Sequence, residues 1–191
     1  MARPRSFDPD SALDKAVEAF RARGFEATSV EDLEKATGLR RASLYGAFGD
    51  KRALYLAALR RYDSTRAARL MTEVSAAPTG RKALERMFAL VIEEAVADPS
   101  GCLLANAASE NCSRDARVAV CVEAGRRRIE GGLHAAVLRG VSDGSVKGGG
   151  DPRTLARFLY SSVLGLRALA KSGSGRADLK AVAETALKAL G

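Results

Sequence analysis

The sequence predicts an all-α chain of about nine helices, and three observations carry that expectation. Apolar residues recur at i, i+3, i+4 and i+7 through most of the chain. Alternating runs of β-branched and aromatic residues, which would mark strands, are nearly absent. The periodic segments are separated by clusters of Gly, Pro and Ser next to good capping residues. The first three helices are short and closely spaced, the later ones longer. The expected division is therefore an N-terminal domain over 1–50 and a helical domain over 51–191, with a helix from 51 to about 74 connecting them.

Each element follows from local chemistry. Leu13, Ala16, Val17 and Phe20 form the stripe of the first helix, and Gly24 fits the left-handed position that stops it. Ser29 caps the second helix. Asp32 stands where the carboxylate of a capping box belongs, but it is shorter than the usual Glu, so only part of the box is expected. Val30 and Leu33 face inward, Gly38 ends this helix, and Leu39 is the turn residue that plugs the core. A third helix runs from about Arg41 to Phe48, with Leu44 and Phe48 inward. Asp50 caps the fourth, which continues through Leu54, Ala58 and Tyr62 to about Val74.

After a loop over 76–80, a helix carries Leu84, Met87, Phe88, Val91 and Ile92 and stops before Asp98 and Pro99. Helices follow from about Cys102 to Cys112 and from about Asp115 to Arg139. Ser142 to Gly150 is a loop. Asp151 and Pro152 are an N-cap and first-turn proline opening a helix to about Ala170, and a last helix covers about Ala177 to Leu190.

Composition narrows the function. With 47% hydrophobic and 28% charged residues, the 191-residue chain packs rather than stays disordered. No apolar run approaches the ~20 residues a membrane helix needs. The start, Met1 to Phe7, is basic but has no apolar segment behind it, so no secretory signal and no membrane are expected, and the cytoplasm is the expected compartment. The three cysteines, Cys102, Cys112 and Cys121, are an odd number at spacings that match neither a disulfide framework nor a zinc site. The one histidine, His134, stands far from any recognisable nucleophile, and no phosphate-cradling loop is present. Metal, cofactor and catalytic activity are therefore not expected.

The net charge is +8, and its distribution says more than its size. Residues 8–34 carry three basic side chains against eight acids, a net of −5, whereas residues 35–61 carry seven against one, a net of +6. This reversal puts positive charge on one edge of a small domain, as a phosphate-facing edge requires. That edge coincides with two short helices joined by a Gly-containing turn, the helix-turn-helix plan. In this plan the second helix lies in the major groove with its first residues nearest the bases. Here those residues are Arg40, Arg41, Ala42 and Ser43: arginine matches a guanine edge, small side chains permit close approach, and Ser can meet any base. Thr28 and Ser29, at the start of the preceding helix, and Lys51, at the start of the fourth, suit phosphates.

The stretch from Gly24 to Leu54 resembles the DNA-binding domain of the TetR family. It meets the family pattern at Phe20, Gly24, Phe25, Thr28, Ser29, Val30, Leu33, Thr37, Gly38, Leu39, Ala42, Ser43, Leu44, Tyr45, Phe48, Lys51 and Leu54. The resemblance implies that Thr28, Ser29, Tyr45 and Lys51 contact phosphates and that residues from Arg40 to Gly46 read bases. It also implies a double-stranded operator, a helical second domain of about six helices with an effector pocket inside it, and a two-fold homodimer. Two departures stand out. Arg40 replaces a common Ser that could cap the third helix, and Gly46-Ala47 replace polar residues, which leaves much of the base reading to Arg40, Arg41 and Ser43.

Gly101-Cys102-Leu103-Leu104, with Asn106, resembles a segment of one branch of the same family, in which this helix lies beside the effector pocket. Met71, Met87, Phe88, Val91, Cys102, Leu103 and Asn106 are thus the pocket candidates, although such stripes equally suit plain core. Cys102 near a helix N-terminus also fits a thiol sensor, against the alternative of a buried small hydrophobe. The last two helices present Leu155, Phe158, Leu159, Ser162, Leu166, Leu169, Val182, Ala186 and Leu187 as an apolar dimer face, or else as closure of the domain's own core. The expected function is a dimeric regulator, in the first instance a repressor released by a small apolar or electrophilic effector. The alternative is a DNA-binding regulator without an effector.

Overall fold

The structure, a computed structural model, describes residues 7–191. The basic start up to Ser6, on which the absence of a signal segment was expected, lies outside the described residues. Within them are nine α-helices and a final 3-10 turn. These are α1 (Pro9–Ala27), α2 (Val30–Thr37), α3 (Arg41–Phe48), α4 (Lys51–Ser75), α5 (Gly80–Ala97), α6 (Leu103–Glu110), α7 (Ala116–Ser142), α8 (Pro152–Lys171), α9 (Arg176–Leu187) and the turn Lys188–Leu190. No described residue lies in a strand. No helix among the described residues is long and apolar enough to cross a membrane.

Most boundaries are set by caps within four residues. Asp8 accepts from the Asp10 N–H at 3.0 Å with Pro9 in the first turn of α1, Asp50 accepts from the Ala53 N–H at 2.7 Å, and Asp151 accepts from the Thr154 N–H at 2.8 Å ahead of Pro152. Gly38 ends α2 in the left-handed region at φ 75°. The α1–α2 connection differs from expectation. Gly24 does not end α1. It interrupts the helix at φ 81°, ψ 177°, and a last helical stretch runs on to Ala27.

The chain forms two compact units: residues up to Thr65 with Cys102–Glu123, and Arg66–Gly101 with Ala124–Gly191. In the first, α1 packs on α2 and α6, and α2 on α3. Phe20, Leu33, Leu44, Leu54 and Tyr55 fill its core, joined by Cys102, Leu103 and Cys121. Phe20, Phe25 and Tyr55 form an aromatic trio with centroids 4.8–4.9 Å from Tyr55. In the second, α5 packs on α8 and α9, and α8 on α9, around Leu84, Phe88, Leu133, Leu159 and Leu166. Gly80 and Gly140 are in backbone contact, since a Cβ on Gly80 would stand 2.1 Å from the Gly140 nitrogen. Arg167, 4% exposed, is paired with Glu94 at 2.6 Å.

Candidate nucleic-acid interface and effector pocket

The turn before α2 is built around Gly24. Its positive φ favours glycine, and a Cβ there would lie 2.7 Å from Glu110 Oε2. The Glu110 carboxylate, from α6, accepts the N–H groups of Phe25 at 3.0 Å and Glu26 at 2.8 Å. It thereby satisfies donors that the break in α1 would otherwise leave without helical partners. The Thr28 hydroxyl donates to the Gly24 carbonyl at 2.6 Å, and Thr28 is fully buried. Its side chain secures this turn, so of the two hydroxyl residues only Ser29 is presented at the surface.

Ser29 and Asp32 form a complete capping box. Ser29 Oγ accepts from the Asp32 N–H at 3.0 Å, and Asp32 Oδ2 accepts from the Ser29 N–H at 2.9 Å. The shorter Asp therefore closes the box that was expected only in part. The backbone and hydroxyl of Ser29, with Arg23 at 2.7 Å, hold the Asp32 carboxyl below its ordinary value of 3.8. A lowered folded pKa means that this stabilisation is present above the ordinary value and is lost as pH falls through the folded one.

The start of α3 has no cap of its own: Arg40 occupies the N-cap position and makes no side-chain cap bond. The missing acceptor comes from α2, whose Glu34 Oε1 takes the Arg41 N–H at 2.6 Å. Sequence reasoning assigned neither Glu34 nor Glu110 a capping role. Glu34 stands seven residues from the donor it serves, and Glu110 about 85, so neither fits a local capping pattern.

Leu44 faces the core, while Arg40, Arg41, Ala42, Ser43 and Gly46 are exposed. Tyr45 is half-buried, with the Arg41 guanidinium 5.3 Å from its ring centre. A Cβ on Gly46 would meet nothing within 4 Å, so no packing contact within the chain explains this glycine. Lys51, in the first turn of α4, holds its ammonium 4.5 Å from the Phe25 ring centre. The outward surface of α3 is thus small, basic and flanked by Ser29 and Lys51 in the same unit.

The second unit contains an apolar pocket of about 240 Å³ walled by α4, α5 and α7. Leu70, Met71, Val74, Met87 and Ile129 line it, with Arg128 and Arg139 at its edge. A Cβ on Gly132, also in the wall, would meet nothing within 4 Å. Of the pocket candidates, Met71 and Met87 lie here. Phe88 and Val91 are buried in the core of this unit, whereas Cys102 and Leu103 are buried in the core of the first. Asn106, on α6, points its amide toward the Arg21 carbonyl at 3.5 Å. None of the three cysteines is in a disulfide, and burial pushes the Cys112 thiol up. The dimer candidates also divide. Leu159, Leu166 and Ala186 are buried in their own unit, and Leu155 and Leu187 pack against that core. Phe158, Leu169 and Val182 are 47%, 37% and 38% exposed, with Ser162 half-buried among them.

Two short helices around Gly38–Leu39, the second exposing small and basic side chains, define a helix-turn-helix DNA-binding protein. Residues 12–58 match the model of bacterial regulatory proteins, tetR family, and residues 80–186 that of the tetracyclin repressor-like C-terminal domain. The chain belongs to the TetR family of transcriptional regulators, which are not enzymes. It is 32% identical over 175 residues to YezE, an uncharacterized HTH-type transcriptional regulator of Bacillus subtilis, covering 90% of each chain. It is 30% identical over 189 residues to the HTH-type transcriptional repressor ComR of Escherichia coli, covering 97% of this chain and 90% of that one. Among solved structures, a triple cysteine mutant of the TetR family regulator CifR, complexed with 26-bp double-strand operator DNA, matches with a TM-score of 0.89 at 31% identity over 100% of both chains.

Proposed function

We propose that this chain works in the cytoplasm as a two-fold dimer that represses transcription from a near-palindromic operator, and that a small apolar effector releases it. The observation that carries the DNA reading is the bare outward face of α3. Arg40, Arg41, Ala42, Ser43 and Gly46 stand free of the core beside Tyr45, Ser29 and Lys51. The full-length likeness to a regulator solved on operator DNA supports it. Reading two half-sites ~34 Å apart requires a partner. The exposed Phe158, Leu169 and Val182, with Ser162 between them, supply an apolar face for that partner.

The pocket favours an effector-responsive protein over one without an effector. For scale, an apolar cavity of ~150 Å³ accommodates one benzene, so this one suits a somewhat larger apolar molecule. Burial of Cys102 and the raised Cys112 thiol favour non-covalent release over thiol chemistry.

The test is binding of the full chain to fragments of its own upstream region at two salt concentrations. Specific, salt-sensitive binding as a dimer is expected, with Arg41→Ala costing about 1–3 kcal/mol and relaxing one base position per half-site. Gly132→Leu should keep operator binding while losing uptake of the apolar fluorophore phenylnaphthylamine. Sequence-indifferent binding by the wild type would remove the operator reading, and unchanged dye uptake by Gly132→Leu would remove the pocket reading.

A further inference from the structure

We infer that a second cleft in the same unit, between α7 and α8, is a binding site for a small polyvalent anion carrying two or more carboxylate or phosphate groups. This site is separate from the apolar pocket and does not depend on the effector reading. On α7, Arg126, Glu130 and His134 recur at i, i+4 and i+8, with Arg127 alongside. Arg153 and Arg157, one turn apart at the start of α8, face them across a cleft of about 380 Å³. The residues lining it carry four guanidiniums and one carboxylate, a formal excess of +3 among them.

Glu130 organises the cluster rather than neutralising it. Its side chain is 13% exposed and accepts from Arg157 Nε at 2.9 Å and from Arg126 Nη1. It thus joins one guanidinium from each helix to a shared anchor. Like charges crowded at a concave surface repel one another and focus a positive potential, which an anion of two or three charges relieves. Guanidinium forks match the paired oxygens of carboxylate and phosphate.

Gly131 supplies an independent observation. A glycine inside a helix costs about 1 kcal/mol relative to alanine. Close packing does not account for this one, because a Cβ would meet nothing within 4 Å. Its missing side chain leaves that part of the cleft lining open. Its neighbour Gly132 does the same for the apolar pocket on another face of α7. The adjacent arginines divide in the same way, Arg126 and Arg127 lining the cleft and Arg128 the apolar pocket. The three consecutive arginines of α7 are therefore shared between two concave surfaces.

The test is calorimetric titration of the full chain with inorganic pyrophosphate and, separately, with citrate, against sodium chloride at matched ionic strength. A saturable site, one per chain, is expected for at least one of the two probes, and the tighter probe tells phosphate from carboxylate recognition. Arg153→Gln/Arg157→Gln should weaken it by about tenfold or more, a loss of roughly 1.4 kcal/mol or more. Gly131→Leu, which fills the cleft without changing charge, should weaken it comparably. Circular dichroism confirms that each variant is folded. The proposal is overturned if neither probe saturates, if sodium chloride reproduces the heat, or if a folded variant of either kind binds as tightly as wild type. It is equally overturned if Arg153→Gln/Arg157→Gln changes the oligomeric state, because the cluster would then belong to an interface between copies.

Discussion

The helices α3 and α8 are held in opposite ways. The eight-residue α3 buries one leucine, has no cap of its own, and takes the acceptor for its first turn from Glu34 on the preceding helix. The twenty-residue α8 starts on its own Asp151 cap with Pro152 behind it and buries Leu159, Val163 and Leu166 along a continuous stripe. One helix keeps its outer surface small and bare, and its neighbours hold it in place. The other carries the information for its own start and its own burial. A surface that must enter a DNA groove cannot also be used for packing, so its stability has to come from elsewhere in the unit.

That contrast can be tested by substitution, beginning with the largest effect. Leu166→Ala removes a fully buried side chain from α8. It should cost about 2–5 kcal/mol in chemical denaturation. A cost below about 1 kcal/mol would mean that α8 is not held by its stripe.

Glu34→Ala removes the borrowed cap and should cost about 1 kcal/mol, in the range of lost N-caps. Its signature is a larger relative loss in operator binding than in melting temperature, because α3 contributes little to the core. Equal losses in the two would show that Glu34 is ordinary structural support.

Gly46→Ala is the smallest change in the fold and the most informative. Added helix propensity, with open space for the methyl group, should stabilise α3 by up to about 1 kcal/mol. Operator affinity should nevertheless fall, if the groove needs that space. A variant both more stable and equally tight on DNA would locate the base reading elsewhere on α3.

Much of the fold was legible because the signals were local. Ser29, Asp50, Asp151 and Gly38 stop or start helices through bonds reaching no more than four residues, and each lies where the spacing predicts. Two exposed residues of α3 were legible for the same reason, since a helical period that turns Leu44 inward turns Ala42 and Ser43 outward. The burial of Thr28 was not legible, because nothing in the spacing tells which hydroxyl of the Thr28-Ser29 pair turns inward to the Gly24 carbonyl. The pocket candidates scattered because apolar spacing marks a buried face without saying what lies against it. Met71 and Met87 meet a cavity, whereas Phe88, Val91, Cys102 and Leu103 meet core.

By itself, then, the sequence determined the helices, the local caps at Ser29, Asp50 and Asp151 and the helix-turn-helix plan, because those depend on dihedral preference and on partners within a turn or so. Only the tertiary structure decided which carboxylates hold the turn before α2 and the start of α3, and how three consecutive arginines of α7 divide between an apolar pocket and a basic cleft. Those outcomes rest on groups brought together from distant parts of the chain, as Glu110 is brought to Phe25 across 85 residues. No spacing rule encodes such a meeting, because the packing of one helix on another sets it.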